Sequence, residues 1–261
     1  MARHIDAWMD GVKLADIGAI LIQGVEESPA EMETTYGTRP IRGGRDVLVL
    51  KRNSLKVTIK CAIKELWDLK RRTEILQQMA AWASGSILEL SNHPGQRLRV
   101  RCKAFPSLGD VRNYTEEMNI ELEADNVPYW EDSVPTQTIV SNTTQGSATL
   151  LIPGTTLTPI DFRIVPMPSG YSNGTLAVTM TNGSTSKTIS LSGVIVGPYS
   201  ALDLKVDDFD RFAIFSGQSN RLSCRSIDSA DDFFMPPGVT TISWDSSVEG
   251  RVTISARGRW L

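Results

Sequence analysis

The sequence is poor in the residues that build metal centres and disulfide frameworks. Its 261 residues include three cysteines and two histidines. The cysteines lie far apart without a Cys-x-x-Cys pair, which argues against a disulfide scaffold and a zinc cluster: they are Cys61, Cys102 and Cys224. His93 precedes Pro94-Gly95 and is expected to be a solvated residue at a hairpin tip. We therefore expect no metal and no cofactor.

Long apolar runs and an excess of positive charge are absent as well. No apolar run approaches the roughly 20 residues that span a bilayer, and the N-terminal MARHIDAWMDG lacks the apolar core of a secretory signal. The net charge of −3 gives no reason to expect a nucleic acid or an anionic membrane as partner. These features predict a protein that is made and folded in a cytoplasm, with no membrane partner.

Catalytic signatures are missing too. The sequence contains no Gly-x-Ser-x-Gly, Walker, Gly-x-Gly-x-x-Gly or His-Glu-x-x-His motif. The acidic clusters at 207–210 and 228–232 lack the spacing of a calcium loop. A glycosidase could draw its two carboxylates from distant positions. However, the second half has a single glutamate, Glu249, and little aromatic lining for a sugar. The sequence predicts no catalytic residues, and hence a protein that is not an enzyme.

What is present divides the chain into two parts. Of the 27 Lys and Arg residues, 18 lie before Ser133, and beyond it the composition turns to Ser, Thr and Gly. We predict a domain of residues 1–133 and a second of residues 134–261. The boundary carries the stretch DNVPYWED, whose Tyr129 and Trp130 are unsuited to a flexible linker. We expect these two rings to pack between the domains or to cap the first core.

The first half reads as a β domain with one helix. In SLKVTIKCAI, apolar residues alternate with polar ones, as in a half-buried strand with Cys61 in the core. ELWDLKRRTEILQQMAAWASG instead has helical periodicity, and Gly85 suits its end. The predicted core-facing stripe is Leu66, Leu69, Thr73, Leu76, Ala80 and Ala83. Residues off that stripe are either partly buried boundary positions or contacts with a neighbouring subunit: Trp67, Ile75 and Trp82.

Two strands of opposite charge follow the helix. RLRVRCKAF alternates basic with apolar residues, and EMNIELEA alternates acidic or amide residues with apolar ones. A basic ladder can indicate a nucleic-acid surface. An antiparallel hairpin would instead neutralise it, and one register pairs Lys103 with Glu117, Arg99 with Glu121 and Arg97 with Glu123. We favour the hairpin.

The second half predicts an antiparallel sandwich or jelly roll. Short alternating runs recur between turn signals. Asn173-Gly174 and Asn182-Gly183 suit tight hairpins, because both central residues of such turns need positive φ. The segment VPTQTIVSNTTQG, which begins at Val134, is expected to be turn-like. The fold class is therefore mainly β: two antiparallel β-sandwich domains, the first with one α-helix.

The order of these parts resembles the distal tail proteins of long, non-contractile-tailed bacteriophages. The likeness covers nearly the whole chain and rests on the ordered combination of several segments. They are DGVKLADIG, GVEESPAEMETTYGTRPIRGGRD, WASGSILEL, LEADNVPYWED, FFMPPGVTTISW and VTISARGRW. One departure is Val239-Thr240 after Pro-Pro-Gly, where the family more often has Asn or Asp.

The resemblance implies a virion protein at the tail tip. It implies that residues 1–133 form a hexameric ring beneath the tail tube, which lets DNA pass without binding it specifically. It also implies that residues 134–261 form a galectin-like sandwich that offers attachment. The implied partners are further copies of this chain, the tail-tube protein, and a tail-associated lysin, fibre or receptor-binding protein.

Two other functions fit a two-domain β protein. One is a carbohydrate-binding module for the host cell wall, which should expose several Trp or Tyr on one concave face. The second half has only Tyr171, Tyr199, Trp244 and Trp260, and the two tryptophans are at positions expected to face inward. The other is a tail-tube subunit, which would not need so complete a second sandwich.

Overall fold

A computed structural model gives the structure of the chain as two compact units, Met1–Trp130 (unit 1) and Glu131–Leu261 (unit 2). It describes residues 5–18, 20–38, 45–63, 68–105, 118–166, 171–198, 200–207 and 211–261. The fold class expected from the sequence, mainly β with one α-helix and antiparallel sheets, is confirmed. The ring-forming role of residues 1–133 and the galectin-like character of residues 134–261 stay predictions.

Unit 1 is built from short antiparallel strands. In chain order they are β1 (Ala7–Met9), β2 (Val12–Lys13), β3 (Ile20–Ser28), β4 (Met32–Thr38), β5 (Arg45–Arg52), β6 (Leu55–Ile63), β7 (Ile87–Leu90), β8 (Gln96–Arg99), β9 (Arg101–Ala104) and β10 (Met118–Ala124). One sheet contains the order β2-β1-β7-β8, and a second has the order β3-β6-β10-β9. Strands β4 and β5 pair with each other as a two-stranded ribbon.

Strand β6 forms the centre of the second sheet, as its alternation predicts. Its alternate residues from Leu55 to Ile63, all apolar, are at most 5% exposed, and its polar residues face outward. Cys61 is completely buried, and burial raises the pKa of its thiol to about 12. Because a thiol in that state stays protonated and unreactive, Cys61 is a core residue, as expected.

Among the described residues there is one α-helix, α1 (Leu69–Ala83). It ends where the sequence indicates but begins at Leu69, later than the predicted helical run, whose residues 65–67 lie outside the described ranges. The Asp68 carboxylate caps it by accepting hydrogen bonds from the backbone N–H of Lys70 at 2.9 Å and of Arg71 at 3.1 Å. The chain leaves the helix through Ser84 and Gly85. Gly85 is required by close packing, since a Cβ atom there would collide with the Met9 side chain.

The buried face of α1 differs from the predicted stripe. Leu69, assigned to the core, is 58% exposed. The buried residues follow helical spacing on a rotated face: Arg72, Ile75, Leu76, Met79, Trp82 and Ala83. Ile75 and Trp82 are 1% and 6% exposed, so they have little area left for another subunit. Their role at a subunit interface stays a prediction, and their burial argues against it. The third candidate, Trp67, lies outside the described residues.

The basic run after α1 is divided between two sheets. Val100 separates β8, which pairs with β7, from β9, which pairs with β10. The expected register is therefore wrong for Arg97 and Arg99, and the observed register sets Glu123 opposite Arg101. The Lys103–Glu117 pair involves a residue outside the described ranges. In β9 the basic charge is nevertheless neutralised by acidic residues of the same hairpin, because Arg101 forms ion pairs with Glu123 at 3.6 Å and with Asp125.

Glu123 should carry a pH-dependent part of the stability. Its carboxylate accepts a hydrogen bond from Ser54 Oγ at 2.5 Å. This bond is the main reason that the pKa of Glu123 lies below its ordinary value of 4.5, and the positive charges of Lys103 and Arg101 lower the pKa further. A lowered pKa stabilises the fold above the unfolded-state value, and that contribution is lost as pH falls through the folded-state pKa.

We therefore expect Glu123→Gln to lower the free energy of unfolding by about 1–2 kcal/mol at neutral pH. The deficit should shrink as pH falls from the unfolded-state pKa through the lowered folded-state pKa of Glu123, because the folded state then loses the charge that Ser54 and Arg101 stabilise. Urea unfolding at pH 7 and at pH 3.5 measures it. Glu121→Gln, on an exposed position of the same strand, is the control. A Glu123 deficit equal at both pH values would contradict the charge-based explanation.

Unit 2 consists largely of one antiparallel sheet. Its strands are β12 (Thr136–Ile152), β13 (Thr158–Pro166), β14 (Tyr171–Asn182), β15 (Thr185–Val196), β16 (Leu202–Val206), β17 (Phe212–Ser216), β18 (Ser219–Asn220), β19 (Phe234–Met235), β20 (Gly238–Ala256) and β21 (Arg259–Trp260). The order is β15-β14-β20-β13-β16-β17-β18, with β12 also paired to β20 and β19 paired to β13. Strand β11 (Trp130–Asp132) carries the chain from unit 1 into unit 2.

The long strand β20 organises this sheet. On one side its first half pairs with β14 and its second half with β13, while β12 pairs with it on the other side. Its inward residues Ile242, Trp244, Val252 and Ile254 belong to the buried core of unit 2. Trp244 is 3% exposed, which confirms its expected inward position, and a Cβ atom at Gly146 would collide with its indole ring.

Of the three segments expected to form turns in unit 2, two lie in strands. A tight turn does connect β14 to β15, but its central residues are Gly183, at φ 56°, and Ser184, since Asn182 ends β14 and pairs with Thr185. Asn173-Gly174 lies within β14, at an irregularity in its pairing with β15. From Thr136 onward the segment expected to be turn-like forms β12. A segment rich in Ser and Thr can form this strand because its backbone pairs with β20 while alternate side chains face solvent.

Candidate functional site

Trp130, the last residue of unit 1, is held by a cluster of polar side chains. Its ring is 2% exposed and stacks on His93, with ring centroids 4.0 Å apart and planes 9° from parallel. Its indole N–H donates to Glu27 Oε2 at 3.2 Å. Both contacts lie within unit 1, so the ring completes the structure of this unit. The inter-domain packing expected for Tyr129 and Trp130 stays a prediction.

The Glu27 carboxylate is the centre of this cluster. Besides Trp130, it accepts a hydrogen bond from Asn92 Nδ2 at 3.0 Å and lies 2.9 Å from His93 Nε2. The other ring nitrogen of His93 lies 3.2 Å from Gln96 Oε1. The expectation that His93 is merely solvated is therefore wrong. A hairpin tip can be recognised from Pro94-Gly95, but its packing against Trp130, 37 positions later, has no local signal.

Glu131, the first residue of unit 2, is buried in an ion pair. Arg259 Nη2 lies 3.5 Å from Glu131 Oε1, and these side chains are 2% and 4% exposed. The Arg259 guanidinium also lies 5.5 Å from the ring centre of Phe234. Burial of both charges makes each dependent on the other, because an isolated buried charge is costly.

Asp132 connects the start of unit 2 with its C-terminal end. Its carboxylate accepts hydrogen bonds from Trp260 Nε1 at 2.9 Å and from the Gly258 N–H at 3.1 Å. Arg257 donates to the carbonyl oxygens of Asp132 and Ser133. The boundary stretch is therefore anchored on both sides, by Trp130 within unit 1 and by Glu131 and Asp132 within unit 2. It is not a flexible linker.

No group of three or more His, Cys, Asp or Glu among the described residues could hold a metal ion. Unit 2 has a shallow surface groove of about 250 Å³, which is lined by hydroxyl and apolar residues and by a single carboxylate, Asp245. The acidic cluster at 207–210 lies partly outside the described residues. Lys187 and Arg225 pair with Asp232 and Asp231 of the other cluster.

The structure also describes little aromatic surface for sugar binding on unit 2. Trp244 is buried, and Trp260 is half-buried with its indole N–H bound to Asp132. Tyr199 lies outside the described residues, as does the side chain of Tyr171. In addition, no helix in the described part of the chain combines the length and apolar character needed to cross a membrane.

Comparison with solved structures finds the same fold in phage proteins. A crystal structure of the SPP1 Dit (gp 19.1) protein, described as a paradigm of the hub adsorption apparatus in phages that infect Gram-positive bacteria, matches with a TM-score of 0.66 and 15% identity. The match covers 98% of this chain and 99% of that chain.

Chains of the phage p2 baseplate match as well, in the activated conformation with Sr and with Ca. Both have a TM-score of 0.50, with 9% and 8% identity, and each match covers at least 97% of both chains. No protein-family model matches this sequence, and no curated protein does. At these identities the likeness establishes a shared fold over nearly the whole chain. The fold implied by the sequence resemblance is thereby confirmed.

Proposed function

We propose that this chain is a structural hub protein of a phage tail tip. Copies of it form a ring of six that joins the tail tube to the receptor-binding or adsorption apparatus. The observation that carries the proposal is the fold match over 98% of the chain to a phage adsorption hub protein. Because the match covers 98% of this chain and 99% of that chain, the likeness includes both units and not one common β module alone.

Unit 1 is the ring-forming part in this proposal, and unit 2 is the peripheral attachment part. A closed ring needs heterologous contacts, in which two different surfaces of one subunit meet. The burial of Ile75 and Trp82 argues against them as contact residues and favours the exposed face of α1 around Lys70, Gln77 and Gln78.

The ring passes DNA through its centre without binding it. Its lumen is therefore neutral to acidic, because tight phosphate contacts would retain DNA through counterion-linked affinity. Among the acids of β3 and its surroundings, the exposed Glu31 suits such a lumen, whereas the exposed Glu26 forms an ion pair with Lys60 and adds no net charge there. Glu27 does not suit it, because its carboxylate is engaged by His93, Asn92 and Trp130. The side chain of Glu33 lies outside the described residues.

The test is a copy count and a location in the virion. We expect quantitative mass spectrometry of purified particles to give about six copies of the chain per particle, and cryo-electron microscopy to place them in one ring at the tail tip. The tail-tube protein, present in many stacked rings, is the internal standard. Absence of the chain from particles, or a copy number that matches the tube protein, would overturn the proposal.

A further inference from the structure

Within the described part of unit 2, strand β12 lies at an edge of the sheet. Among the described residues, β20 is the only strand that pairs with it. It is 17 residues long, and its sequence, TQTIVSNTTQGSATLLI, contains no charged residue and no proline. Edge strands are ordinarily protected by charges, prolines, bulges or shortness, because their free N–H and C=O groups pair with other strands. From Gln145 to Ile152, β12 has no charge, proline or bulge.

The second half of β12 is the regular part of this edge. From Gln145 to Ile152 it pairs with Asp245 to Gly238 without a shift in register, whereas irregularities occur between Val140 and Gln145. Ala148, Leu150 and Ile152 face the core. Ser147, Thr149 and Leu151 face solvent. A strand added here would therefore extend both faces of the sheet.

The solvent face beside this edge also carries an apolar pair. Leu151 lies opposite Val239 of β20, and each is 61% exposed. In the next two rows toward the middle of the strand, Thr149 faces Thr241 and Ser147 faces Ser243. No charge in these three rows of β12 and β20 would repel a second strand of the same composition.

We propose that the edge of β12 pairs with β12 of a second copy of this chain, antiparallel about a two-fold axis at Ala148. Side chains alternate along a strand, so core-facing residues lie opposite core-facing ones only when the numbers of two facing residues differ by an even number. With Ala148 opposite itself, Gly146 faces Leu150, Ser147 faces Thr149, and Gln145 faces Leu151. Both faces of the two sheets then continue across the interface.

The contact is isologous, so it differs from the head-to-tail contacts that close a ring. It joins copies in pairs whether or not a ring exists, and the inference does not rest on the proposed tail-tip function. If unit 1 also forms rings, the contact links two rings or adds a second set of copies to one. An extended strand from a different protein is the competing occupant of this edge.

Charge substitution at facing positions tests the register. In the proposed pairing, Ser147→Lys with Thr149→Lys sets lysine opposite lysine twice, and we expect the dissociation constant of the pair to rise about tenfold or more. Ser147→Glu with Thr149→Lys sets Glu opposite Lys twice and should restore association. The control is Ser243→Lys with Thr241→Lys, which places the same charges on the same face one strand inward.

Sedimentation velocity of the full chain over a range of concentrations gives the readout, with circular dichroism to confirm folding. Support is a wild-type assembly that dissociates into halves on dilution, is weakened by the Lys/Lys variant, is restored by Glu/Lys, and is little changed in the control. An assembly insensitive to the two β12 variants overturns the proposal. So does a wild-type chain that never associates beyond a monomer or a single ring, which would leave the edge to a different protein.

Discussion

Replacing Trp130 by alanine is expected to lower the free energy of unfolding by about 3–5 kcal/mol, the usual cost of removing a large buried aromatic side chain. The ring is almost fully buried, and its loss would leave a cavity against His93. It would also remove the N–H donor to Glu27. Chemical denaturation of the full chain, followed by circular dichroism and by tryptophan fluorescence, measures the change.

Two further variants separate the contributions of the Trp130 cluster. Trp8→Ala removes a half-buried tryptophan of the same unit and should cost clearly less. A double-mutant cycle between Trp130→Ala and His93→Ala should give a coupling energy of about 0.5–1.5 kcal/mol, typical of a stacked ring pair. Strict additivity of the two substitutions would contradict the stacked arrangement.

Removing one member of the Glu131–Arg259 pair should have an effect of similar size in unit 2. We expect Glu131→Ala to cost about 3–5 kcal/mol, because Arg259 would keep its charge at a buried position without its carboxylate partner. The measurement is the unfolding midpoint in urea. The control is the pair of the exposed Arg163 with the partly buried Asp203, where Arg163→Ala should cost less than about 1 kcal/mol.

The double variant distinguishes a charge effect from a packing effect. Glu131→Leu together with Arg259→Met removes both charges and keeps much of the apolar volume. We expect it to recover most of the stability lost in Glu131→Ala, since replacing a whole buried ion pair is often neutral. A double variant as unstable as Glu131→Ala would mean that the hydrogen-bonding geometry at the end of the chain, and not the unpaired charge, is decisive.

Local patterns were sufficient for the elements themselves. The two-residue alternation of β6 predicts a half-buried strand with Cys61 inside, and the helical spacing up to Gly85 predicts α1, although not its first residue. The glycine of the turn between β14 and β15 also follows from residue type, one position away from the predicted centre. In each of these cases the signal lies within one segment, because backbone geometry determines which side chains share a face.

Local patterns were insufficient wherever two distant segments meet. The stripe of α1 was misplaced because both faces of the helix carry apolar residues, and only the position of the neighbouring strands decides that Ile75 is buried and Leu69 exposed. The break at Val100 was missed because the run from Arg97 to Lys103 alternates without interruption, although its halves pair with different strands.

For the boundary stretch, the sequence determined that DNVPYWED is not a flexible linker, from its aromatic residues beside proline. Only the tertiary structure decided what these residues contact. Trp130 meets His93 and Glu27, whereas Glu131, its neighbour in the chain, meets Arg259. The physical reason is that a buried polar group needs a hydrogen-bond partner, and the fold can supply that partner from any part of the chain. No local sequence pattern shows which distant residue will be brought close enough.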